Sequence, residues 1–171
     1  EEYEEKVKDF AMQLLQKETS FSESFQRLFS KVVDFCIINS LSQVLLKFSC
    51  PGVPDVYQGC ELWDLSLVDP DNRRKVDYSL RQTYLDELQQ QDEQDTINLQ
   101  QQLLQDPASG KVKLYLLWKI LNARKTNRQL FDFGSYVPLQ LSGKHKDHVL
   151  AFARKYKNRW CVVVVPRLLV A

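Results

Sequence analysis

The 171 residues include one methionine, two histidines and four cysteines, and no uninterrupted apolar run comes near the length of a membrane span. Each scarcity closes off a class of protein. The longest apolar stretches, around Cys36 to Ile38 and Trp160 to Pro166, fall well short of the roughly 20 residues that a spanning helix needs, so neither such a helix nor a membrane partner is expected. The cysteines at 36, 50, 60 and 161 form no C-x-x-C pair and stand apart in sequence from His145 and His148. No metal site and no cofactor is therefore expected, and four reduced thiols in a cytoplasmic protein are the plain reading. The start, Glu1-Glu2-Tyr3-Glu4-Glu5, is acidic where a secretory leader is basic, and it lacks an initiator methionine. The chain is expected to be a piece of something longer.

What is present is an ordinary globular composition. With 44% apolar and 26% charged residues, the chain can bury a core and is not globally disordered. The net charge of +1 conceals an asymmetry: residues 1–106 carry 10 Lys and Arg against 20 Asp and Glu, and residues 107–171 carry 13 against 2. A basic stretch of this kind suits nucleic acid only when it is organised into a motif. Here the charges are scattered, so solvated faces, or faces resting on the acidic part of the same molecule, are the reading. No nucleic-acid partner is expected.

Val7, Phe10, Ala11, Leu14 and Leu15 predict an amphipathic helix over 3–16, broken at Glu18-Thr19-Ser20. Ser22 is the predicted cap of a second helix over 21–48, apolar on several faces from Phe35 onward and stopped by Pro51-Gly52. Val53 to Gln58 reads as a short buried strand of a parallel sheet, with Pro54 near its start. Residues 60–77 form an unusually long polar loop. Helix returns at 78–90, and the Gln- and Asp-rich stretch 89–106 is either a solvated helix or a mobile excursion. Gly110 opens a helix to about Thr126, with Leu114, Leu117, Trp118 and Leu121 on one face. Residues 134–141, 149–155 and 160–165 are predicted strands of a small antiparallel sheet, with turns at 142–144 and 157–158. Trp118 and Trp160 read as core. The chain closes on Leu168-Leu169-Val170-Ala171, apolar residues with no terminator, as if a β domain continued.

The densest polar constellation is Glu61 to Asp77, which holds Trp63, Asp64, Asp69, Asp71, Asn72, Arg73 and Arg74. Carboxylates, amides and guanidiniums hold sugar hydroxyls in fixed geometry, and aromatic faces stack on pyranose rings. The same composition also makes turns tied by Asx hydrogen bonds and ion pairs.

The order of residues narrows this. Pro51-Gly52-Val53-Pro54-Asp55-Val56-Tyr57-Gln58-Gly59-Cys60-Glu61 resembles the last barrel strand of the α-amylase clan, whose pattern is G-x-P-x-x-Y-x-G-x-E. The run Leu62 to Arg74, followed by Val76-Asp77-Tyr78, resembles the maltooligosyl trehalose synthase family. Asn39-Ser40-Leu41 with Gln43 and Leu45-Leu46-Lys47, Gly134 to Leu139, His148 to Arg154 and Pro166-Arg167-Leu168 are similar to it as well. The chain departs from the family pattern at Cys60, usually Thr, and at Lys75, usually Pro. The Gln-rich 89–102 maps onto nothing in that pattern.

The resemblance implies an α+β fragment: helices and the last strand of a (β/α)8 barrel over 1–128, then the start of an antiparallel β domain over 129–171. It implies an intramolecular transglucosylation that turns the reducing-end α-1,4 linkage of a maltooligosaccharide into an α,α-1,1 linkage. The carboxylates that perform such retaining chemistry are expected upstream of Glu1, so no catalytic residue is assigned here and the fragment alone is expected to be inactive. Asp69, Asp71, Asn72, Arg73 and Arg74 are the expected sugar contacts or their braces. Trp63 is open between core and stacking platform, and Tyr57, Glu61 and Asp77 are expected to support the site. The rest of its own barrel and a maltodextrin are the expected partners, with self-association of the fragment where barrel-facing surface is bare. The alternative is a non-catalytic carbohydrate-binding or assembly module of another α-amylase-clan protein.

Overall fold

The computed structural model describes residues 2–16 and 19–169. The helix break expected at Glu18 and the apolar end at Val170-Ala171 lie outside the described residues. The chain forms two compact units, Glu1–Ile38 and Asn39–Ala171.

In the first unit, α1 (Glu2–Leu14) follows the predicted periodicity but buries none of its residues. An exposed Lys6–Glu2 pair at 2.7 Å sits one turn apart on its surface and adds only a few tenths of a kcal/mol, ~0.3–0.5. Helix α2 (Ser20–Ser49) begins in this unit. Its cap is Thr19 rather than Ser22: the Thr19 hydroxyl accepts from the Ser22 amide at 3.1 Å, which places Ser22 inside the first turn. Phe21, Phe25 and Phe29 recur every four residues and stack in a ladder, with ring centroids 6.1 and 6.0 Å apart. All three are about half exposed.

Helix α2 also corrects the expectation drawn from apolar runs. By length and composition it is apolar enough to cross a membrane. Isolated Ser, Asn and Gln residues break the run without making the stretch polar, so counting uninterrupted residues misses it.

The second unit holds the packed core. Leu62, Leu88, Leu99, Leu103, Val112, Leu114 and Tyr115 form one cluster, and Val44, Phe48, Leu117, Ile120 and Phe131 form another. Apart from Leu62, which lies in the loop 60–77, these residues come from the end of α2, from α3 (Tyr78–Gln105), from α4 (Lys111–Thr126) and from the short α5 (Arg128–Phe133). The Gln-rich stretch is helical, as the C-terminal half of α3. Asp95 breaks the helix there, with φ −157° and ψ 92°, and its carboxylate restarts it by accepting from the amides of Ile97 and Asn98 at 3.1 and 3.0 Å. Leu99 and Leu103 then turn inward against α4. Asp92, just before the break, accepts from the Tyr115 hydroxyl at 2.5 Å and the Lys119 ammonium at 2.9 Å. A segment that reads as solvated is anchored at its kink.

The predicted strand at 53–58 is not one. Residues 53–57 have no regular structure and Gln58 begins a turn; a strand needs a hydrogen-bonded neighbour, and the described residues offer none beside it. The sheet is instead β1 (Ser135–Pro138), β2 (Val149–Tyr156) and β3 (Arg159–Pro166), antiparallel in the order β1-β2-β3. Phe152 faces Val163 and Tyr156 faces Arg159 across the β2–β3 turn. β1 is shorter than predicted, ending at Pro138, which has no amide hydrogen to donate. Alternation along β3 buries Val163 and Val165 and leaves Trp160, Val162 and Val164 exposed. Trp160 is thus no core residue: it is 53% exposed, with the Lys155 ammonium 4.5 Å from its ring centroid.

Arg154 joins sheet to helices. It is only 1% exposed, and its guanidinium donates to the carbonyls of Ser49 at 3.1 Å, Phe131 at 2.9 Å and Gly134 at 2.8 Å. Ser49 ends α2 and Phe131 lies in the last turn of α5, where unpaired carbonyls accumulate and a cation is favoured. Gly134 is there for space: a Cβ at this position would lie 2.1 Å from the Leu130 carbonyl oxygen.

Candidate functional site

The loop 60–77 is tied at both ends by one arginine. Arg81, in the first turns of α3, donates to Glu61 at 2.9 Å, to the Gly59 carbonyl at 2.7 Å and to the Asp77 carbonyl at 3.0 Å. Asp77 caps α3 by accepting from the Leu80 amide at 2.9 Å. The loop therefore leaves and returns at nearly fixed points.

Between those points the acidic residues organise local turns. Asp64 accepts from both the amide and the hydroxyl of Ser66, at 3.0 and 2.6 Å. Asp71 accepts from the Leu67 amide at 2.8 Å and pairs loosely with Arg74 at 3.4 Å. Arg73 forks onto the carboxylate of Asp69, with its Nε at 2.5 Å from one oxygen and its Nη2 on the other. The Asp69–Pro70 peptide is cis. Trp63 is pinned: its indole N–H donates to the Pro107 carbonyl at 2.7 Å, and Gly110, at the start of α4, packs so closely that a Cβ there would lie 3.1 Å from the Trp63 amide nitrogen.

These ties open a cleft of about 290 Å³ lined by Gln58, Trp63, Asp64, Asn72, Arg74, Asp77 and Arg81, among others. Of the sequence candidates, Trp63, Asn72, Arg74 and Asp77 line it. Asp69 and Arg73 are paired with each other instead, Asp71 holds the turn, and Tyr57 and Glu61 stand outside the lining. Oδ1 of Asn72 is buried without a hydrogen-bond partner. An unpaired buried acceptor costs about 1–3 kcal/mol, a cost that a donor brought to Asn72 would relieve.

Sequence reasoning counted Asp64 in the polar constellation without choosing it as a site residue, and passed over Ser66 and Arg81. The Asp-x-Ser spacing of an Asx turn signalled the first two; nothing local marked Arg81, whose partners lie 20 and 22 residues away. The Ser66 hydroxyl and amide hold the Asp64 carboxyl below its ordinary 3.8, with lesser help from the charges of Arg74 and Lys113. Asp64 thus presents a carboxylate to the cleft at any pH above that range. Among the described residues, no group of three or more His, Cys, Asp and Glu gathers in a way that could hold a metal.

No protein-family model matches the chain. Curated proteins from two Mycobacterium tuberculosis strains, both named maltooligosyl trehalose synthase, are 42% identical over 116 residues, which is 68% of this chain and 12% of theirs. The chain is a relative of the maltooligosyl trehalose synthases. Solved structures agree. A crystal structure of a maltooligosyl trehalose synthase is 32% identical with a TM-score of 0.75 over 96% of this chain and 21% of that one. The maltooligosyltrehalose synthase of Arthrobacter ramosus is 30% identical with a TM-score of 0.64, over 88% and 18%. A Sulfolobus tokodaii protein described as a hypothetical maltooligosyl trehalose synthase is 30% identical with a TM-score of 0.68, over 96% and 20%. The helices and the small antiparallel sheet are therefore an arrangement found within maltooligosyl trehalose synthases. The chain spans 12% of the curated relatives it matches.

Proposed function

We propose that the chain is the C-terminal part of a cytoplasmic maltooligosyl trehalose synthase, comprising the end of its (β/α)8 barrel and the start of its β domain. The whole enzyme would convert the reducing-end α-1,4 linkage of a maltooligosaccharide into an α,α-1,1 linkage. The cleft beside loop 60–77 would hold the glucose unit that turns over before re-attack, with the catalytic carboxylates supplied by the rest of the barrel. The four thiols, none in a disulfide, suit a reducing compartment.

One observation carries the site assignment: Asn72, whose Oδ1 is buried and unpartnered, lines a cleft together with Trp63, Arg74 and Asp64. That set offers an acceptor, a ring, a cation and an anion, the four elements a sugar needs for a fixed orientation. The test is the ratio of free glucose and shorter dextrins to trehalose-capped product from maltohexaose, in the full-length enzyme. Asn72→Ala and Arg74→Ala should each raise hydrolysis relative to isomerisation. A charged hydrogen bond contributes about 1.5–3 kcal/mol, so the ratio should shift about ten-fold or more. An unchanged ratio at normal turnover in both variants would make the loop a brace and the assignment wrong.

A further inference from the structure

Trp63 and Asp64 are a partition as well as a wall. On their other side lies a second cleft, of about 360 Å³, lined also by Ser40, Gln43 and Lys47 of α2 and by Lys113 of α4. None of these four was a site candidate in the sequence, although Ser40, Gln43 and Lys47 fall in the run before Pro51 that resembles the family. Lys113 is half buried and donates only to the Leu62 carbonyl, at 3.1 Å, with its ammonium 5.2 Å from the Trp63 ring centroid. Among the described residues neither Lys47 nor Lys113 has a carboxylate within ion-pair distance. The one carboxylate in the cleft, Asp64, already spends an oxygen on two bonds from Ser66.

Two like charges line one concavity whose single carboxylate is already engaged by Ser66, so their mutual repulsion is only partly offset. Burial first, and then the neighbouring Lys47, make the Lys113 ammonium harder to hold, against weaker opposing help from Cys60, Asp64 and Glu61. An anion between them would offset the repulsion and help hold the Lys113 charge, because charge-assisted bonds in a part-desolvated cleft are about twice as strong as neutral ones. The Gln43 amide supplies a neutral donor on the same wall, and the volume falls in the range of small-ligand sites.

We propose that this cleft binds a phosphate-class anion, free or carried on a monosaccharide, with Lys47 and Lys113 as its two cationic contacts. The site goes beyond the glucan reading and does not depend on it. Titration calorimetry of the 171-residue chain at constant ionic strength in chloride would compare inorganic phosphate, glucose-6-phosphate and glucose. Protection of both lysines from amine-reactive labelling, read by mass spectrometry, would locate the ligand. Lys47→Gln and Lys113→Gln should each weaken binding at least ten-fold. Tighter binding of glucose-6-phosphate than of phosphate would assign a phosphorylated sugar, and equal binding the free ion. Glucose binding as well as glucose-6-phosphate, or neither phosphate compound binding above the chloride background, would overturn the proposal. Lys113→Gln removes a bond to the loop, so Lys47→Gln, which breaks no hydrogen bond of the described fold, is decisive: unchanged affinity in that folded variant would also overturn it.

Discussion

Arg154 donates to the carbonyl of Ser49, 105 residues earlier in the chain, and so fastens the middle strand of the sheet to the end of α2. The same side chain reaches Phe131 and Gly134, and among the described residues no carboxylate pairs with it. Replacing it leaves three carbonyls facing a void. Arg154→Ala should therefore cost at least about 3 kcal/mol of stability in urea unfolding. Arg154→Lys should recover less than half of this, because one ammonium cannot span three separated acceptors. A loss below about 0.5 kcal/mol, the scale of an ordinary surface substitution, would show that water satisfies the carbonyls instead.

Asp69 and Arg73 form the best-aligned ion pair of the loop, yet both side chains are more than half exposed. Geometry and solvent oppose each other here, and solvent should win. A double-mutant cycle with Asp69→Ala and Arg73→Ala should return a coupling of only about 0.2–1 kcal/mol. In the full-length enzyme, Arg73→Ala should disturb the product ratio less than Arg74→Ala, since only Arg74 lines the cleft.

Asp64 gives a pH dependence with a defined sign. Its carboxyl titrates below the ordinary 3.8 in the folded state, so its contribution is present above the unfolded value and lost as pH falls through the folded one. Ser66→Ala removes the strongest cause of that depression. The variant should be less stable than the parent above about pH 4 and converge with it in stronger acid. A carbon-13 NMR titration of the Asp64 carboxyl should show its midpoint moving up toward 3.8. An unmoved midpoint would mean the turn is not formed in solution.

Gly110 opens α4 with φ +78°, and a Cβ there would come within 3.1 Å of the Trp63 amide nitrogen and 3.3 Å of its ring. Gly110→Ala combines left-handed strain of about 1–2 kcal/mol with pressure on the wall between the two clefts. The expected result is lower stability together with a changed Trp63 emission, read in a background where Trp118 and Trp160 are Phe. Lower stability with unchanged emission would show that the wall absorbs the extra carbon.

The helices were legible because their signals are local. Leu114 and Leu117 fall on one face of α4, and Pro51-Gly52 stops α2 whatever surrounds it. The failures have non-local causes. Val53 to Gln58 has a strand's composition but no neighbour among the described residues to pair with. Along β3 both alternating sets are apolar, Cys161, Val163 and Val165 against Trp160, Val162 and Val164, so the pattern cannot say which set faces in. The Gln-rich half of α3 looked solvated because only Leu99 and Leu103 in it are needed for burial. In the loop, composition marked a segment whose residues line the cleft, and the spacing Asp69 to Arg73 allowed either a sugar contact or a brace. The fork between those two residues is a brace in the described structure.

Gly134 has a consequence at the level of the gene. A glycine codon changes to another residue's codon only by adding a side chain, and at this position the first carbon of any side chain would lie 2.1 Å from the Leu130 oxygen. Every missense change there meets the same obstacle, whatever its polarity or size. A saturation library at codon 134, sorted for folded protein, should return glycine alone, while the neighbouring codon for Ser135, at an exposed edge of the sheet, should tolerate most of the alphabet.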